Sequence, residues 1–173
     1  MRTDEKYHKR GVVMSRKLVA YFSATGVTAK VAELLADAAG ADVYQIEPAV
    51  EYTQADMNWM DKTSRSSVEM NNKKFRPAMV DTDAKIGEYD TIFLGFPIWW
   101  YVAPTIINTF LEKYDFSGKK IILFATSGGS GFGKTVEELE VSVSGDAQII
   151  EGKLLNGAQT LESVSAWVRS LKI

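Results

Sequence analysis

Residues 17–28 read KLVAYFSATGVT, and they combine an apolar run, a turn rich in hydroxyl groups and the start of a helix. The run at 17–22 is nearly unbroken, which is typical of a strand buried on both faces of a parallel sheet. The helix after it is indicated by apolar residues spaced i, i+3, i+4 and i+7, and Gly40 is placed to end it. Those apolar residues are Val31, Leu34, Leu35 and Ala38. A strand followed directly by a helix is the repeating unit of α/β proteins.

The same alternation continues to the end of the chain. Further apolar runs predict strands at 41–46, 91–96, Lys120–Thr126 and Gln148–Leu154. Helical spacing of apolar residues predicts helices at 106–114, 136–143 and 161–171. Five strands alternating with helices imply right-handed crossovers and a parallel sheet covered on both faces.

Segment 48–88 interrupts this alternation, because it is long for a single crossover and rich in Asp, Asn, Ser, Lys and Met. Its pattern predicts a helix around 55–70 followed by a surface loop. Long loops in compact domains are often functional. The alternative is that this insert only covers one edge of the sheet, and the sequence leaves both interpretations open.

The chain has 173 residues, 46% of them hydrophobic and 24% charged, which is an ordinary globular composition for one domain. Residues 1–13 are polar and charged, and Met14 stands directly before the first predicted strand. We expect residues 1–13 to be a disordered N-terminal leader or the product of an upstream start codon, and residues 14–173 to form the domain.

Charge and residue types exclude several classes of function. Twenty Lys plus Arg against 22 Asp plus Glu give a net charge of −2, so no overall field attracts nucleic acid or an anionic membrane. The chain has no cysteine, and His8 is its one histidine, so disulfides, Cys-ligated metals and a Ser-His-Asp triad are excluded. No apolar run reaches the about 20 residues that span a bilayer. We expect a cytoplasmic protein without a metal site, a nucleic-acid partner or a membrane partner.

The first candidate site is the turn Ser23-Ala24-Thr25-Gly26-Val27-Thr28. Backbone amides and the positive end of the helix dipole point at such a turn, and its hydroxyl groups can donate to the same anion. The turn contains no Lys or Arg, so it suits a phosphate monoester held by neutral donors. The alternative is that Ser23 or Thr25 only caps the helix.

Two more loops follow strands at the same edge of the predicted sheet, where open α/β sheets bind ligands. Residues 96–101 read FPIWWY, and three consecutive aromatic residues cannot all point into the core. Residues 126–135 read TSGGSGFGKT, in which Gly128 to Thr135 match the phosphate-loop pattern of nucleotide hydrolases. No predicted strand ends in the aspartate that would hold magnesium, so hydrolysis is a remote alternative. A glycine-rich loop can instead let the edge of a planar ring approach the backbone.

Together the three loops resemble those of the flavodoxin family, in its short-chain form. The resemblance covers residues 17–173 and implies a flavodoxin-like three-layer αβα sandwich with a five-stranded parallel sheet in the order 2-1-3-4-5. It also implies FMN as the cofactor. By position, the phosphate contacts would be Ser23, Thr25, Gly26, Val27 and Thr28. Trp99 would stack on the flavin ring beside Pro97, Ile98 and Trp100, and the opposite side would be formed by Thr126, Ser127, Gly128 and Gly129.

The resemblance implies an FMN-binding electron-transfer protein that shuttles electrons between redox protein partners, as a monomer or weak homodimer. No catalytic residue is assigned. The alternative is an FMN-dependent NAD(P)H:quinone-type oxidoreductase, in which Trp59, Arg65 and the rest of the insert shape a substrate pocket. Contact of Arg65 with an anionic substrate is one interpretation, and the favoured one is a pair with a nearby acid, Asp61 or Glu69, on a helix face.

Overall fold

A computed structural model of the protein describes residues 16–173, and the expected leader at 1–13 lies outside the described residues. The strands are β1 (Lys17–Tyr21), β2 (Asp42–Gln45), β3 (Thr91–Pro97), β4 (Lys120–Thr126) and β5 (Gln148–Leu154). The helices are α1 (Val27–Ala39), α2 (Arg65–Met70), α3 (Ile106–Lys113), α4 (Thr135–Glu140) and α5 (Leu161–Ser170). A short 3₁₀ helix at Ile86–Glu88 precedes β3.

The five strands form one sheet in the order β2-β1-β3-β4-β5, and every neighbouring pair is parallel. This confirms the α/β fold and the predicted order 2-1-3-4-5. The order reverses between β1 and β3, where Tyr21 pairs with Gly95. The carboxyl ends of β1, β3 and β4 therefore lie side by side at one edge of the sheet, which is the edge where such folds bind ligands.

Each face of the sheet has its own hydrophobic core, because successive residues of a strand point to opposite faces. On one face, Phe22, Phe96 and Phe110 are fully buried in the core that includes α3. On the other face, Val19 and Phe124 pack in the core with α1 and α5. Trp167 of α5 packs edge-on against Phe93 in this second core, with ring centroids 5.9 Å apart. The result is the predicted three-layer sandwich.

The insert differs from its prediction, since only Arg65–Met70 of the expected helix at 55–70 is helical. In the segment before this helix, polar side chains form hydrogen bonds with nearby backbone groups, and such bonds favour turns over helix. Thr53 and Asp56 exchange two such bonds, and Asp61 accepts from the amide and the hydroxyl of Thr63. α4 is also shorter than the predicted 136–143. Within residues 16–173, no helix is long and apolar enough to cross a membrane.

Candidate functional site

The hydroxyl-rich turn joins β1 to the 13-residue helix α1. Gly26, at the N-cap position, has a φ of 94°, a conformation that glycine adopts far more easily than other residues. Its amide donates to Ser23 Oγ at 3.1 Å, and no side chain caps the helix within the described structure. Ser23 therefore shapes the turn rather than capping α1. The amides of the first helical turn stay available for an anion, beside the exposed Thr25 and Val27.

Thr28 and Thr126 connect the turn to the glycine-rich loop. Both side chains are buried, and their hydroxyl oxygens lie 2.9 Å apart, between the first turn of α1 and the end of β4. The sequence predicted each residue as a cofactor contact, and the structure brings them together. Their hydroxyls bond to each other and so hold two of the three candidate loops in a fixed relation.

The aromatic loop is a tight turn after β3. The amide of Ile98 donates to the carbonyl of Thr126 at 2.9 Å, which ties this loop to the end of β4. Trp99 and Val102 exchange backbone hydrogen bonds of 2.9 and 3.1 Å around Trp100 and Tyr101, whose φ angles are 48° and 67°. This turn separates the three aromatic side chains, as expected. Trp100 and Tyr101 are 37% and 70% exposed, while Trp99 is partly buried against the core.

The glycine-rich loop is organised by a residue that the sequence analysis missed. Asn156, just after β5, accepts from the amide of Ser127 at 2.7 Å and donates to Ser127 Oγ at 3.2 Å. Ser127 Oγ in turn donates to the carbonyl of Ser130 and accepts from the amide of Gly129. Gly128 and Gly129 are exposed at this edge of the sheet.

A cavity of about 580 Å³ opens between these loops and the insert. Its walls are Met57, Trp59 and Ser66 from the insert, Ile98–Tyr101 from the aromatic loop, and Gly128 and Ser130 from the glycine-rich loop. The sequence predicted both loops here, and Trp59 with the rest of the insert, without singling out Met57 or Ser66. None of these side chains carries a charge.

A family profile described as flavodoxin matches residues 16–171 of the chain. The chain belongs to the flavodoxin family. No curated protein matches it. Among solved structures, a Bacteroides eggerthii protein assigned as a flavoprotein is 48% identical, with a TM-score of 0.85, over 92% of this chain and 99% of the other. A second, from Bacteroides uniformis, is 50% identical, with a TM-score of 0.83, over 90% and 98% of the two chains.

A more distant structure shares only the fold. The flavoprotein from Lactobacillus acidophilus, solved in complex with FMN, is 21% identical with a TM-score of 0.62, over 82% of this chain and 93% of the other. The predicted assignment of individual residues to a cofactor stays a prediction for this flavodoxin-family chain.

In this flavodoxin-family chain the insert is attached to the aromatic loop through Tyr52. The Tyr52 ring packs edge-on against Trp99, with centroids 5.3 Å apart, and both rings contact Phe22. The guanidinium of Arg65 lies 3.7 Å from the centroid of the Tyr52 ring. The Tyr52 hydroxyl donates to Glu69. Burial, followed by this hydrogen bond to a carboxylate, raises the pKa of Tyr52 above its ordinary value.

Arg65 does not line the cavity, contrary to one of the two predictions made for it. Its Nε lies 3.0 Å from the buried carboxylate of Glu69, which confirms the predicted pairing within the helix. Its guanidinium also donates to the carbonyls of Val50 and Glu51 at 2.8 and 3.2 Å. The positive charge is therefore used to hold the insert together.

The phosphate-loop pattern in this flavodoxin-family chain does not form a nucleotide site. Thr135 is fully buried, with its hydroxyl donating to the carbonyl of Phe132, so a magnesium ion from solvent does not reach it. Gly133 has a φ of 51°, and a Cβ added there would lie 2.6 Å from the carbonyl oxygen of Tyr101. Close contact with the aromatic loop explains this glycine without a bound phosphate.

Proposed function

We propose that this flavodoxin-family protein binds FMN and transfers electrons through it. One observation carries the proposal: the hydroxyl-rich turn, the aromatic loop and the glycine-rich loop meet at the carboxyl edge of the sheet, around the Thr28–Thr126 hydrogen bond. The structures of the Lactobacillus acidophilus flavoprotein and of a Fusobacterium nucleatum flavodoxin, both bound to FMN, support it at the level of the fold.

The residues present fit the two ends of FMN. A phosphate suits the turn, because amides of α1 are uncapped and a side chain placed at Gly26 would meet open space. A flat ring suits the cavity, because Ile98, Trp99 and Trp100 give it an uncharged wall with large aromatic side chains. When bound, FMN supplies the capacity to accept and release electrons.

In the first form of this function, the protein carries electrons between redox proteins. The rim of the cavity carries Trp59, Trp100 and Tyr101, all exposed, and an exposed aromatic patch suits a protein partner. An FMN-dependent NAD(P)H:quinone-type oxidoreductase is the second form. It is favoured because Met57, Trp59 and Ser66 of the insert line the cavity, whereas a carrier needs only an exposed flavin edge.

FMN titration of the apoprotein, followed by tryptophan fluorescence, tests the cofactor. We expect saturable quenching that ATP with magnesium does not reverse. Trp167→Phe is the matched control, because this residue of α5 packs against Phe93 in the second core, on the other face of the sheet. The quenching should persist in Trp167→Phe and lose a large part of its amplitude in Trp99→Phe. Displacement of FMN by ATP would contradict the proposal.

Anaerobic addition of NADPH to the FMN-loaded protein separates the two forms. Rapid, stoichiometric loss of the visible flavin absorbance would favour the oxidoreductase. No change within minutes, followed by prompt reduction with a reduced redox protein, would favour the carrier.

A further inference from the structure

A second cavity, of about 550 Å³, shares Trp100 with the cavity at the carboxyl edge of the sheet. Its walls come from the end of α2 and the segment after it, from the aromatic loop, and from the starts of α3 and α4. Six of the described residues that line it are charged, whereas the first cavity has no charged wall. We call it the basic hollow, and its charged members are Lys73, Lys74, Arg76, Lys134, Glu137 and Glu138.

Two of the four cations in the basic hollow already have a carboxylate beside them. Lys73 pairs with Glu138, which also lines the hollow. Arg76 Nε lies 2.8 Å from the Glu112 carboxylate on α3. The Lys73 side chain is largely exposed in its pair, so solvent screens that attraction. These pairs reduce the positive charge of the hollow without removing it.

The other two cations lack such pairs. Lys74 and Lys134 are exposed, and within residues 16–173 their ammonium groups form no ion pair. The carboxylate of the hollow that remains to face them is that of Glu137. Lys134 is also the lysine of the phosphate-loop pattern, whose nucleotide interpretation the structure excludes. Because the whole chain carries a net charge of −2, the basic hollow is a local excess of positive charge on an acidic protein.

The form of this charge favours a protein over a small ion. Long, exposed lysine side chains keep their ammonium groups hydrated, so they attract an opposite charge through the field that they create rather than through fixed contacts. The hollow is also continuous with the exposed aromatic residues at the rim of the first cavity, because Trp100 lines both and Tyr101 follows it. Aromatic residues at the centre and charged groups at the rim are typical of a protein interface.

We propose that this aromatic rim and the basic hollow form one docking surface for an electron-transfer protein whose own surface is acidic. Lys74 and Lys134 face the carboxylates of that protein, and Trp100 and Tyr101 contact it beside the first cavity. The inference rests on the proposed function, because the surface borders the site that we assign to FMN. It specifies the charge of the redox partner, which the acidic composition of the chain does not predict.

The test measures binding to the FMN-loaded protein by calorimetry at low ionic strength. The probe is an oxidised plant-type ferredoxin, a small acidic [2Fe–2S] protein, and both proteins are oxidised so that no electron is transferred. The double variant Lys74→Glu, Lys134→Glu should bind the ferredoxin at least about fivefold more weakly than the natural protein does, because two attractive charges become repulsive. Salt at about 0.5 M should remove this difference.

The matched control is the double variant Lys85→Glu, Lys172→Glu. Both lysines are exposed and lie toward the opposite edge of the sheet, since Lys85 shortly precedes β3 and Lys172 adjoins Ile173, which lines a depression at the amino ends of β3 and β4. The two double variants have the same net charge, so a difference between them reports where the charges lie. The control should bind the ferredoxin within about twofold of the natural protein, because charges more than a Debye length away are largely screened. Both double variants should keep the FMN affinity of the natural protein.

Three results would overturn the inference. The first is equal affinity of the two double variants for the ferredoxin, and the second is no ferredoxin binding by the FMN-loaded natural protein. The third is binding of inorganic pyrophosphate, one per protein, in place of the ferredoxin, which would make the hollow a site for a small anion. Failure of the natural protein to bind FMN would refute the proposed function and this inference with it, whereas absence of ferredoxin binding would leave the proposed function standing.

Discussion

The hydroxyl oxygens of Thr28 and Thr126 lie 2.9 Å apart although the residues are 98 positions apart in the chain. Thr28 belongs to the first turn of α1, and Thr126 is the last residue of β4. Both are buried, so neither hydroxyl can exchange its partner for water without a local opening. The bond joins the loop that suits a phosphate to the loop that borders the cavity.

Removing both of these hydroxyls should lower the free energy of unfolding by less than the sum of the two single removals. Thr28→Val leaves Thr126 buried without a partner, and we expect a loss of about 1–3 kcal/mol in the free energy of unfolding. The double variant with Thr126→Val should cost clearly less than the sum of the two single variants, because two apolar groups of similar shape then face each other. Urea denaturation of the four proteins measures this, and simple additivity would contradict it.

Gly26→Ala should weaken FMN binding, and Gly40→Ala should not. Both glycines have positive φ angles, 94° and 63°, and a Cβ would meet no atom within 4 Å at either position. Backbone strain should therefore lower the stability of each variant by about 1–2 kcal/mol. Gly26 lies in the proposed phosphate turn, whereas Gly40 ends the same helix at its opposite end. Equal loss of FMN affinity in both variants would argue against the phosphate turn.

Glu69→Ala should destabilise the protein strongly. The Glu69 side chain is 5% exposed, and it accepts from both Arg65 and Tyr52. Its removal takes away the closest carboxylate of a partly buried guanidinium, which keeps Asp56, at 3.9 Å, and also the acceptor of the Tyr52 hydroxyl. We expect a loss of about 3 kcal/mol. Lys73→Ala is the comparison, because the Lys73 side chain is 77% exposed in its pair with Glu138 and should contribute less than about 1 kcal/mol. Thermal unfolding of both variants checks the ranking.

Alkaline pH should destabilise the fold through Tyr89. Burial, and then the hydrogen bond that the Tyr89 hydroxyl donates to Asp42, raise the pKa of Tyr89 to about 12. A tyrosine in the unfolded chain has a pKa of about 10. This contribution to stability is therefore fully present below pH about 10, and it is lost as the pH rises to about 12, because only the unfolded chain releases the proton.

The comparison for this prediction is Tyr89→Phe. Its free energy of unfolding should fall less steeply between pH about 10 and 12 than that of the natural protein. Urea denaturation at each pH measures this. If the free energy of unfolding fell equally steeply with pH in the two proteins, a group other than Tyr89 would be responsible for the loss of stability at alkaline pH.

The elements of the sheet were predictable because their signals are local. The apolar run at Lys120–Thr126 coincides with β4, since a strand buried in a parallel sheet must be apolar along most of its length. The prediction at Gln148–Leu154 coincides with β5, although β5 is an edge strand without a buried residue. The turn at Gly26 could be predicted for a similar reason, because glycine and hydroxyl residues before a helix have few alternative uses.

The insert was less predictable, since competing local preferences decide it. Helical spacing suggested one long helix, whereas the turn-forming bonds of Thr53, Asp56 and Asp61 leave only Arg65–Met70 helical. For Arg65, the sequence permitted either contact with a ligand or an ion pair with Glu69. The ion pair forms in the structure, and it requires only the i, i+4 spacing within one helix.

The local pattern of residues was thus sufficient for the strands, the order of elements and the three candidate loops. It was not sufficient for Asn156, which organises the glycine-rich loop from 29 positions away, or for Ser66, which reaches the cavity from the insert. These placements depend on long-range packing, such as the contact of Tyr52 with Trp99, and no period or motif in either segment encodes that contact. Side chains from distant segments acquire a common role only once the folded chain has brought them together.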